Sequence, residues 1–137
     1  MPSSQKLLAL GDEQFVSLTT FRKSGVPVST PVWIARDGDS LVVTTPASSG
    51  KVKRLRNSPR VQLSPCSRMG KVAEGSESTE ANAVILDDPT TVDRLGNVFL
   101  AKFRLQYRIF MWIERRGKEG QKQRVMLRIT DGDSLQA

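Results

Sequence analysis

The chain has 137 residues and contains no histidine and a single cysteine, Cys66. The missing histidine excludes Ser-His-Asp triads, Cys-His pairs, histidine zinc clusters and a histidine general base. The single cysteine excludes an internal disulfide and leaves too few soft ligands for a transition-metal site, so no metal is predicted. If the protein is an enzyme, we expect a bound organic cofactor to supply the reactive centre.

Long apolar runs are also missing, since no stretch approaches the roughly 18 residues of a membrane span. The first ten residues lack the apolar core of a signal peptide. The length and a hydrophobic share of 38% predict one globular domain over residues 1–137. With one free cysteine, the expected location is the reducing cytoplasm.

Acidic residues are absent between Ser40 and Ala73, although the chain has 14 of them. The same stretch contains seven basic residues, which are Lys51, Lys53, Arg54, Arg56, Arg60, Arg68 and Lys71. The other 14 basic residues balance the 14 acidic ones, so the net charge of +7 resides in this stretch. We therefore expect an anionic ligand to bind here.

Apolar alternation and turn residues predict about six short strands, with helices after the third and the fifth. The predicted strands are Phe15–Phe21, Val28–Ala35, Leu41–Thr45, Arg60–Cys66, a fifth beginning near Val72, and Arg124–Ile129. Short strands at this spacing favour a barrel or a sandwich. Pro31 lies inside the second strand, which predicts an edge position or a bulge because proline donates no ladder hydrogen bond.

Asp88 and Pro89 predict the start of a helix, because Asp is a good cap and Pro suits the first helical position. Apolar residues then recur at spacings of three or four, at Val92, Leu95, Phe99 and Phe103. A further apolar series, Leu105, Ile109, Trp112 and Ile113, is compatible with a second helix or with a strand. The secondary structure of 104–116 therefore stays open.

The basic stretch also contains a short helix that ends before Pro59. Its first turn holds Lys51 and Lys53, where exposed cations cost roughly 0.3–1 kcal/mol each against the helix dipole. Ser48, Ser49 and Gly50 precede the turn, so hydroxyls and unpaired backbone N–H groups converge there. This arrangement predicts a phosphate or carboxylate at the helix N-terminus.

Two other interpretations of the basic stretch stay open. A run of charge is often only a solvated face that keeps a protein soluble. A nucleic-acid-binding barrel is the remote alternative, because the stretch lacks the interleaved aromatic residues on which bases would stack.

Two segments resemble the pyridoxamine 5′-phosphate oxidase-like, FMN-binding split-barrel superfamily of flavin and deazaflavin proteins. Gly25–Ile34 resembles its second-strand signature, and Leu41–Val61 resembles its phosphate-binding segment in order and spacing. The resemblance covers about residues 13–86, and the most similar branch is that of coenzyme F420-dependent oxidoreductases. It implies a mainly-β fold, a six-stranded antiparallel Greek-key barrel with flanking helices, and a homodimer with cofactor sites at the interface.

The resemblance also implies a set of cofactor-binding residues and no catalytic side chain. Thr30, Pro31, Val32 and Trp33 would lie along the ring system, Thr44 and Thr45 beside the ribityl chain, and Ser49, Gly50, Lys51 and Lys53 around the phosphate, with Arg54 or Arg56 nearby. Coenzyme F420 carries an acidic oligoglutamate tail, and we expect Arg56, Arg60, Arg68 and Lys71 to meet it.

The expected function is hydride transfer between coenzyme F420 and an unsaturated or quinone-like small molecule, without nucleic acid or membrane. Alternatives on the same fold are an FMN flavoprotein and a non-catalytic F420 or flavin carrier. Vitamin B6 oxidation is not expected, because residues 128–133 lack the histidine-containing pattern of the oxidases proper. The physiological substrate and the proton donor cannot be read from the residues.

Overall fold

The computed structural model describes residues 2–72, 75–104 and 124–131, with side chains from residue 5 onward. The strands are β1 (Phe15–Phe21), β2 (Pro27–Asp37), β3 (Ser40–Pro46), β4 (Arg60–Pro65), β5 (Thr79–Leu86) and β6 (Arg124–Thr130). The helices are α1 (Pro2–Ala9), α2 (Gly50–Asn57) and α3 (Pro89–Phe103), and a 3-10 turn, Leu10–Asp12, follows α1. The open series from Leu105 to Ile113 lies outside the described residues.

The six strands form a closed antiparallel barrel in the order β1-β2-β3-β6-β5-β4. The first three strands are a meander, after which α2 carries the chain across to β4 on the free edge of β1. This return connection is of the Greek-key type. The prediction of a six-stranded barrel with helices after the third and fifth strands is confirmed.

Two apolar layers hold the fold together. The barrel interior is filled from alternate positions of every strand, including Val16, Leu18, Ile34, Leu41, Val43, Val61, Leu63, Ala83, Leu127 and Ile129. The outer layer packs Leu95, Phe99 and Phe103 of α3 against β2, β3 and β6. Asp88 caps α3 by accepting a hydrogen bond from the Thr91 amide at 3.0 Å, as the sequence predicts.

The two ends of the barrel are closed by different elements. Leu7 and Leu10 of the N-terminal segment join the interior cluster, and Gly11 packs against Leu41 and Arg36 at the β2–β3 hairpin. At the other end, Val52 and Leu55 of α2 are buried, and Arg54 reaches Thr20 at the end of β1. Helix α2 is therefore fixed against the barrel mouth by its apolar face.

Strand β2 pairs with β3 only over Ile34–Asp37, whereas Pro27–Trp33 pairs with β1 alone. The end of β3, Thr44–Pro46, pairs instead with β6. The two strands therefore separate beyond Ile34 and leave a gap in the hydrogen-bonded wall. Pro31 lies on the unpaired edge of this gap, which confirms its predicted edge position.

Two elements differ from the sequence prediction. The fifth strand does not begin near Val72, because Val72 makes only an isolated bridge with Cys66 and β5 starts at Thr79. Gly70 and Gly75 turn the chain there with φ of 88° and 85°, a region that favours glycine. Helix α1 was not predicted, and within the described residues no helix is long and apolar enough to span a membrane.

Candidate functional site

The gap between β2 and β3 is a groove with a volume of about 240 Å³. Its lining residues come from the start of β1, the middle of β2, the end of β3, the first turn of α2 and the start of β6. They are Phe15, Pro31, Val32, Trp33, Thr44, Thr45, Pro46, Lys51 and Arg124. Two of these residues are cationic and none is acidic, so the groove favours an anionic ligand.

One wall of the groove is aromatic. The Trp33 ring stacks on Phe103 of α3 with centroids 4.9 Å apart, and Phe15 meets it edge-on at 6.3 Å. Trp33 therefore packs the outer layer and also presents a rigid surface to the groove. A flat, partly apolar ligand ring would find a fitting surface here.

Helix α2 directs its N-terminus towards this groove. Ser49 is the N-cap residue, but its side chain makes no capping hydrogen bond, and the Ser49 hydroxyl accepts one from Thr45 at 3.2 Å. In the described part of the chain, the amides of Gly50, Lys51 and Val52 have no backbone acceptor. These amides and the remaining Ser49 proton are donors available to an anion.

Lys51 carries the clearest electrostatic signal. Its side chain is half-buried at the groove and makes no hydrogen bond or ion pair with any described residue. Burial, followed by repulsion from Arg54 and Arg124, lowers the pKa of Lys51. Burial and two neighbouring positive charges make the ammonium form of Lys51 unfavourable. An anion that binds beside this group stabilises it.

Each of the two guanidinium groups near Lys51 donates a hydrogen bond to a threonine hydroxyl. Arg54 Nε donates to Thr20 Oγ1 at 2.6 Å, and its terminal nitrogen lies over Gly50, where an added Cβ would sit 2.8 Å away. Arg124 Nε donates to Thr44 Oγ1 at 3.0 Å. We call Lys51, Arg54 and Arg124 the cation cluster.

The structure brings together part of the set implied by the resemblance. Pro31, Val32, Trp33, Thr44, Thr45 and Lys51 line the groove, while Ser49, Gly50 and Arg54 adjoin it through the contacts above. Thr30, Lys53 and Arg56 do not line the groove. Thr30 shares the interior side of β2 with Val32, and its buried hydroxyl has no hydrogen-bond partner in the described part of the protein.

Sequence reasoning missed Phe15, Pro46 and Arg124. Arg124 lies opposite Pro46 in the β3–β6 ladder, so its place beside Lys51 depends on a pairing between strands far apart in the sequence. The sequence places Arg124 at the start of the closing strand, but this position does not indicate which residues lie beside it.

The basic residues expected to meet an acidic tail fall into separate places. Arg60 is paired with Glu80 at 2.7 Å and lies 4.3 Å over the Phe21 ring, away from the groove on β4. Arg68 and Lys71 belong to a turn closed by Ser67, and its Gly70 packs against Pro31 at the groove. Among the four described residues that were expected to meet such a tail, Arg68 and Lys71 are therefore the two that stand on a turn in contact with the groove, whereas Arg56 and Arg60 do not line it.

Cys66 is half-buried and forms the bridge with Val72. Burial, with a smaller contribution from Glu13, raises the pKa of its thiol. A thiol with a raised pKa is a poor nucleophile at neutral pH.

Comparison with known proteins supports the fold and the family. Residues 4–131 match the sequence profile described as pyridoxamine 5′-phosphate oxidase. A structure titled as a putative pyridoxamine 5′-phosphate oxidase from Listeria innocua is 18% identical, with a TM-score of 0.58, over 96% of this chain and 94% of that one. No curated protein matches the chain significantly in sequence.

Two further solved structures share the fold at low identity. One is titled F420 reductase, with 20% identity and a TM-score of 0.56 over 92% of this chain and 90% of its own. The other is the heme storage protein HutZ from Vibrio cholerae, with 10% identity and a TM-score of 0.65 over 95% and 88%. At these identities the similarity establishes the fold. The identity of any bound group must be argued from the residues of the site.

Proposed function

Because the chain belongs to the pyridoxamine 5′-phosphate oxidase family, we propose that its groove holds coenzyme F420 and that the protein is an F420-dependent oxidoreductase. The observation that carries this proposal is the cation cluster. Three cations converge beside an uncapped helix N-terminus, and the burial of Lys51 destabilises its charge until an anion arrives. A phosphate at this helix N-terminus would accept hydrogen bonds from its amides and neutralise part of the positive charge.

The donor set fits a phosphate-bearing ring cofactor along the length of the groove. The α2 amides, Ser49 and Lys51 supply phosphate donors at one end. Thr44 and Thr45 also line the groove, and Trp33 with Pro31 presents a flat surface for a ring. These three groups of residues correspond to the phosphate, the polyol chain and the ring of such a cofactor.

When bound, a deazaflavin supplies hydride-transfer chemistry that no side chain of this protein can replace. The protein's own contribution is positioning, since Trp33 is locked by its stacking on Phe103. The cation cluster neutralises the phosphate, and the aromatic wall of the groove keeps water from the ring face. Because the cofactor supplies the chemistry and the protein positions it, no catalytic side chain is required.

The choice of coenzyme F420 over FMN depends on the turn that follows β4. Arg68 and Lys71 stand on this turn, which packs against Pro31, so they add positive charge at the groove beyond the needs of one phosphate. A ligand with additional carboxylates would use this charge, whereas FMN ends at its phosphate. For the same reason FMN is the second candidate for the cofactor.

We also propose that the groove is completed by a second copy of the chain. Its volume of about 240 Å³ is below the roughly 300–1,000 Å³ of typical small-molecule sites. Sedimentation equilibrium of the purified protein should therefore give the mass of two chains, and bound F420 should tighten that association. A strictly monomeric protein that still binds the cofactor tightly would contradict this part of the proposal.

The direct test is a fluorescence titration of the purified protein with F420 and with FMN. F420 should bind with a dissociation constant in the micromolar range or below, FMN more weakly, and Lys51→Met should weaken both by about tenfold or more. Lys6→Met, which removes an equal charge from α1 at the other end of the barrel, is the matched control. Binding of single-stranded nucleic acid in place of both cofactors would refute the proposal.

Binding and turnover are separated in a second experiment. The protein is loaded with chemically reduced F420 and mixed with a panel of enones and quinones, while the absorbance of the cofactor is followed as it is reoxidised. Oxidation of the cofactor that depends on one of these acceptors supports an oxidoreductase. Tight binding without turnover across the panel would instead identify a cofactor carrier.

A further inference from the structure

A second cavity, of about 340 Å³, lies beneath the C-terminal end of α2 and is separate from the groove. It is bounded by the end of β1, the β1–β2 turn, the last residues of α2 and the start of β4. The lining residues are Phe21, Arg22, Lys23, Gly25, Asn57, Ser58 and Arg60. We call it the turn cavity, and its volume is within the usual range of small-molecule sites.

The turn that forms one side of this cavity is held in one conformation. The Arg22 amide donates to the Val26 carbonyl at 2.9 Å, and the Gly25 amide donates to the Arg22 carbonyl at 2.8 Å. Gly25 has φ of 92°, and no atom lies within 4 Å of the position where a Cβ would stand. The backbone of the turn is therefore ordered, and its side chains project from a fixed base.

The charges around the turn cavity are not balanced. Arg22 and Lys23 make no side-chain hydrogen bond or ion pair with any described residue, and both are exposed. Arg60 is already paired with the Glu80 carboxylate and covers the Phe21 ring at 4.3 Å. Three cations thus face one carboxylate, so two further negative charges would balance the charge around the cavity.

Arg54 connects the turn cavity with the groove. Repulsion from Arg22 contributes, after burial, to lowering the pKa of Arg54. Arg54 in turn repels Lys51 at the groove. The cations therefore form a continuous series from the groove, past Thr20 and the base of α2, into the turn cavity.

One feature opposes anion binding here, because the C-terminal carbonyls of α2 border the cavity and carry partial negative charge. The Ser58 amide is already bonded to the Arg54 carbonyl at 3.0 Å, so it offers no donor. Arg54 and Arg56 in the last turn of α2 compensate the helix dipole. The unpaired Arg22 and Lys23 therefore decide the sign of the potential in the cavity.

We infer that the turn cavity is a second anion-binding site, for a ligand group that bears phosphate or carboxylate. Arg22 and Lys23 are its principal donors, and the Asn57 amide and the Ser58 hydroxyl are its neutral ones. The anionic group belongs either to an extension of the ligand in the groove or to a separate small anion. Only the first of these sources rests on the proposed function.

The test uses amide NMR spectra of the full chain, with Gly25 and Asn57 as reporters of the turn cavity. Inorganic pyrophosphate should shift both amides in a saturable way. Arg22→Gln with Lys23→Gln should weaken this response by about tenfold or more, whereas Lys51→Met should leave it within about twofold. Lys6→Gln with Arg36→Gln removes the same two charges elsewhere and is the matched control.

F420 and FMN then distinguish the two sources. If F420 shifts the Gly25 and Asn57 amides and FMN does not, the anionic group extends from the groove ligand. If pyrophosphate saturates these amides and neither cofactor affects them, the site serves a separate anion and the inference stands without the proposed function. The inference is overturned if none of the three probes gives a saturable shift, or if the Arg22 and Lys23 substitutions weaken the response no more than the control pair.

Discussion

At the scale of single residues, the candidate site is defined by positive charge that burial and like-charged neighbours make unfavourable. Lys51 is the residue in which this is clearest, because it is half-buried and its neighbours are Arg54 and Arg124. Protein interiors rarely retain an unpaired charge unless a ligand or partner compensates it. The uncompensated charge therefore lowers the stability of the ligand-free protein and raises its affinity for an anionic ligand.

The first prediction is that Lys51→Met stabilises the ligand-free protein. Removal of the ammonium group abolishes its burial cost and its repulsion from Arg54 and Arg124, so the Tm should rise by about 1–3 °C. Differential scanning calorimetry in a buffer without phosphate measures this, and Lys6→Met should produce no such rise. A fall of several degrees would show that Lys51 has a structural role.

The second prediction concerns Gly50, whose added Cβ would lie 2.8 Å from an Arg54 guanidinium nitrogen. In Gly50→Ala the flexible guanidinium moves away, so stability should change by less than about 1 kcal/mol. Phosphate affinity should nevertheless fall several-fold. Calorimetric titration measures the affinity, and in an Arg54→Met background the same substitution should cause no additional loss.

At the scale of elements, α3 is attached to the barrel by a lysine that has all its donors in use. Lys102 Nζ donates to the carbonyls of Gly11 and Ile34 at 2.7 Å each and also to the carbonyl of Glu13. The 3-10 turn, β2 and α3 meet at this one group. Because Trp33 stacks on Phe103 of the same helix, the aromatic wall of the groove depends on this attachment.

The third prediction is therefore that Lys102→Met lowers the free energy of unfolding by about 2–4 kcal/mol, because three carbonyls lose their donor. Urea denaturation measures this change. Arg94→Met is the matched control on the same helix, since its ion pair with Asp37 is exposed and should contribute less than about 1 kcal/mol. Equal effects of the two substitutions would contradict the central role of Lys102.

Element prediction from the sequence was successful where a local signal existed. The bounds of β1 and the cap of α3 follow from local apolar alternation and from the Asp-Pro pair. Helix α1 and the late start of β5 were missed for a shared reason. Leu7 and Leu10 are ordered by burial in the barrel end, and Thr79 by its pairing with Leu63, and neither contact leaves a local pattern.

At the scale of the whole molecule, five cationic residues line two cavities at the two sides of α2. Lys51 and Arg124 line the groove, and Arg22, Lys23 and Arg60 line the turn cavity. Acidic residues lie elsewhere and form ion pairs that link one element to another. Glu77 pairs with Lys6, Glu80 with Arg60, and Asp37 with both Arg94 and Arg128.

The fourth prediction is a loss of stability in acid. Hydrogen bonds from Arg94, Lys6 and Arg60 lower the pKa values of Asp37, Glu77 and Glu80 from their ordinary 3.8, 4.5 and 4.5. The unfolded chain therefore binds more protons in this range, and stability is lost as the pH falls from about 4.5 through the lower folded pKa values.

Thermal unfolding followed by circular dichroism between pH 6 and pH 2.5 measures this loss. Glu80→Gln should flatten the decrease, because it removes one of the three linked carboxylates. A Tm that stays constant over the whole range would show that these ion pairs add nothing to folding.

Local order and the expectation of an anionic ligand came from the residues alone. The alternation of apolar residues predicted most of the strands, and the acid-free basic stretch with lysines in a first helical turn predicted an anion, because dipole and propensity effects act within a few residues. Which cations meet was decided by the closed barrel. Arg124 reaches Lys51 only through the β3–β6 ladder, while Lys53, two residues from Lys51, does not line the groove. Pairing between distant strands obeys no local rule, so the tertiary structure had to select the site from a larger set of basic residues.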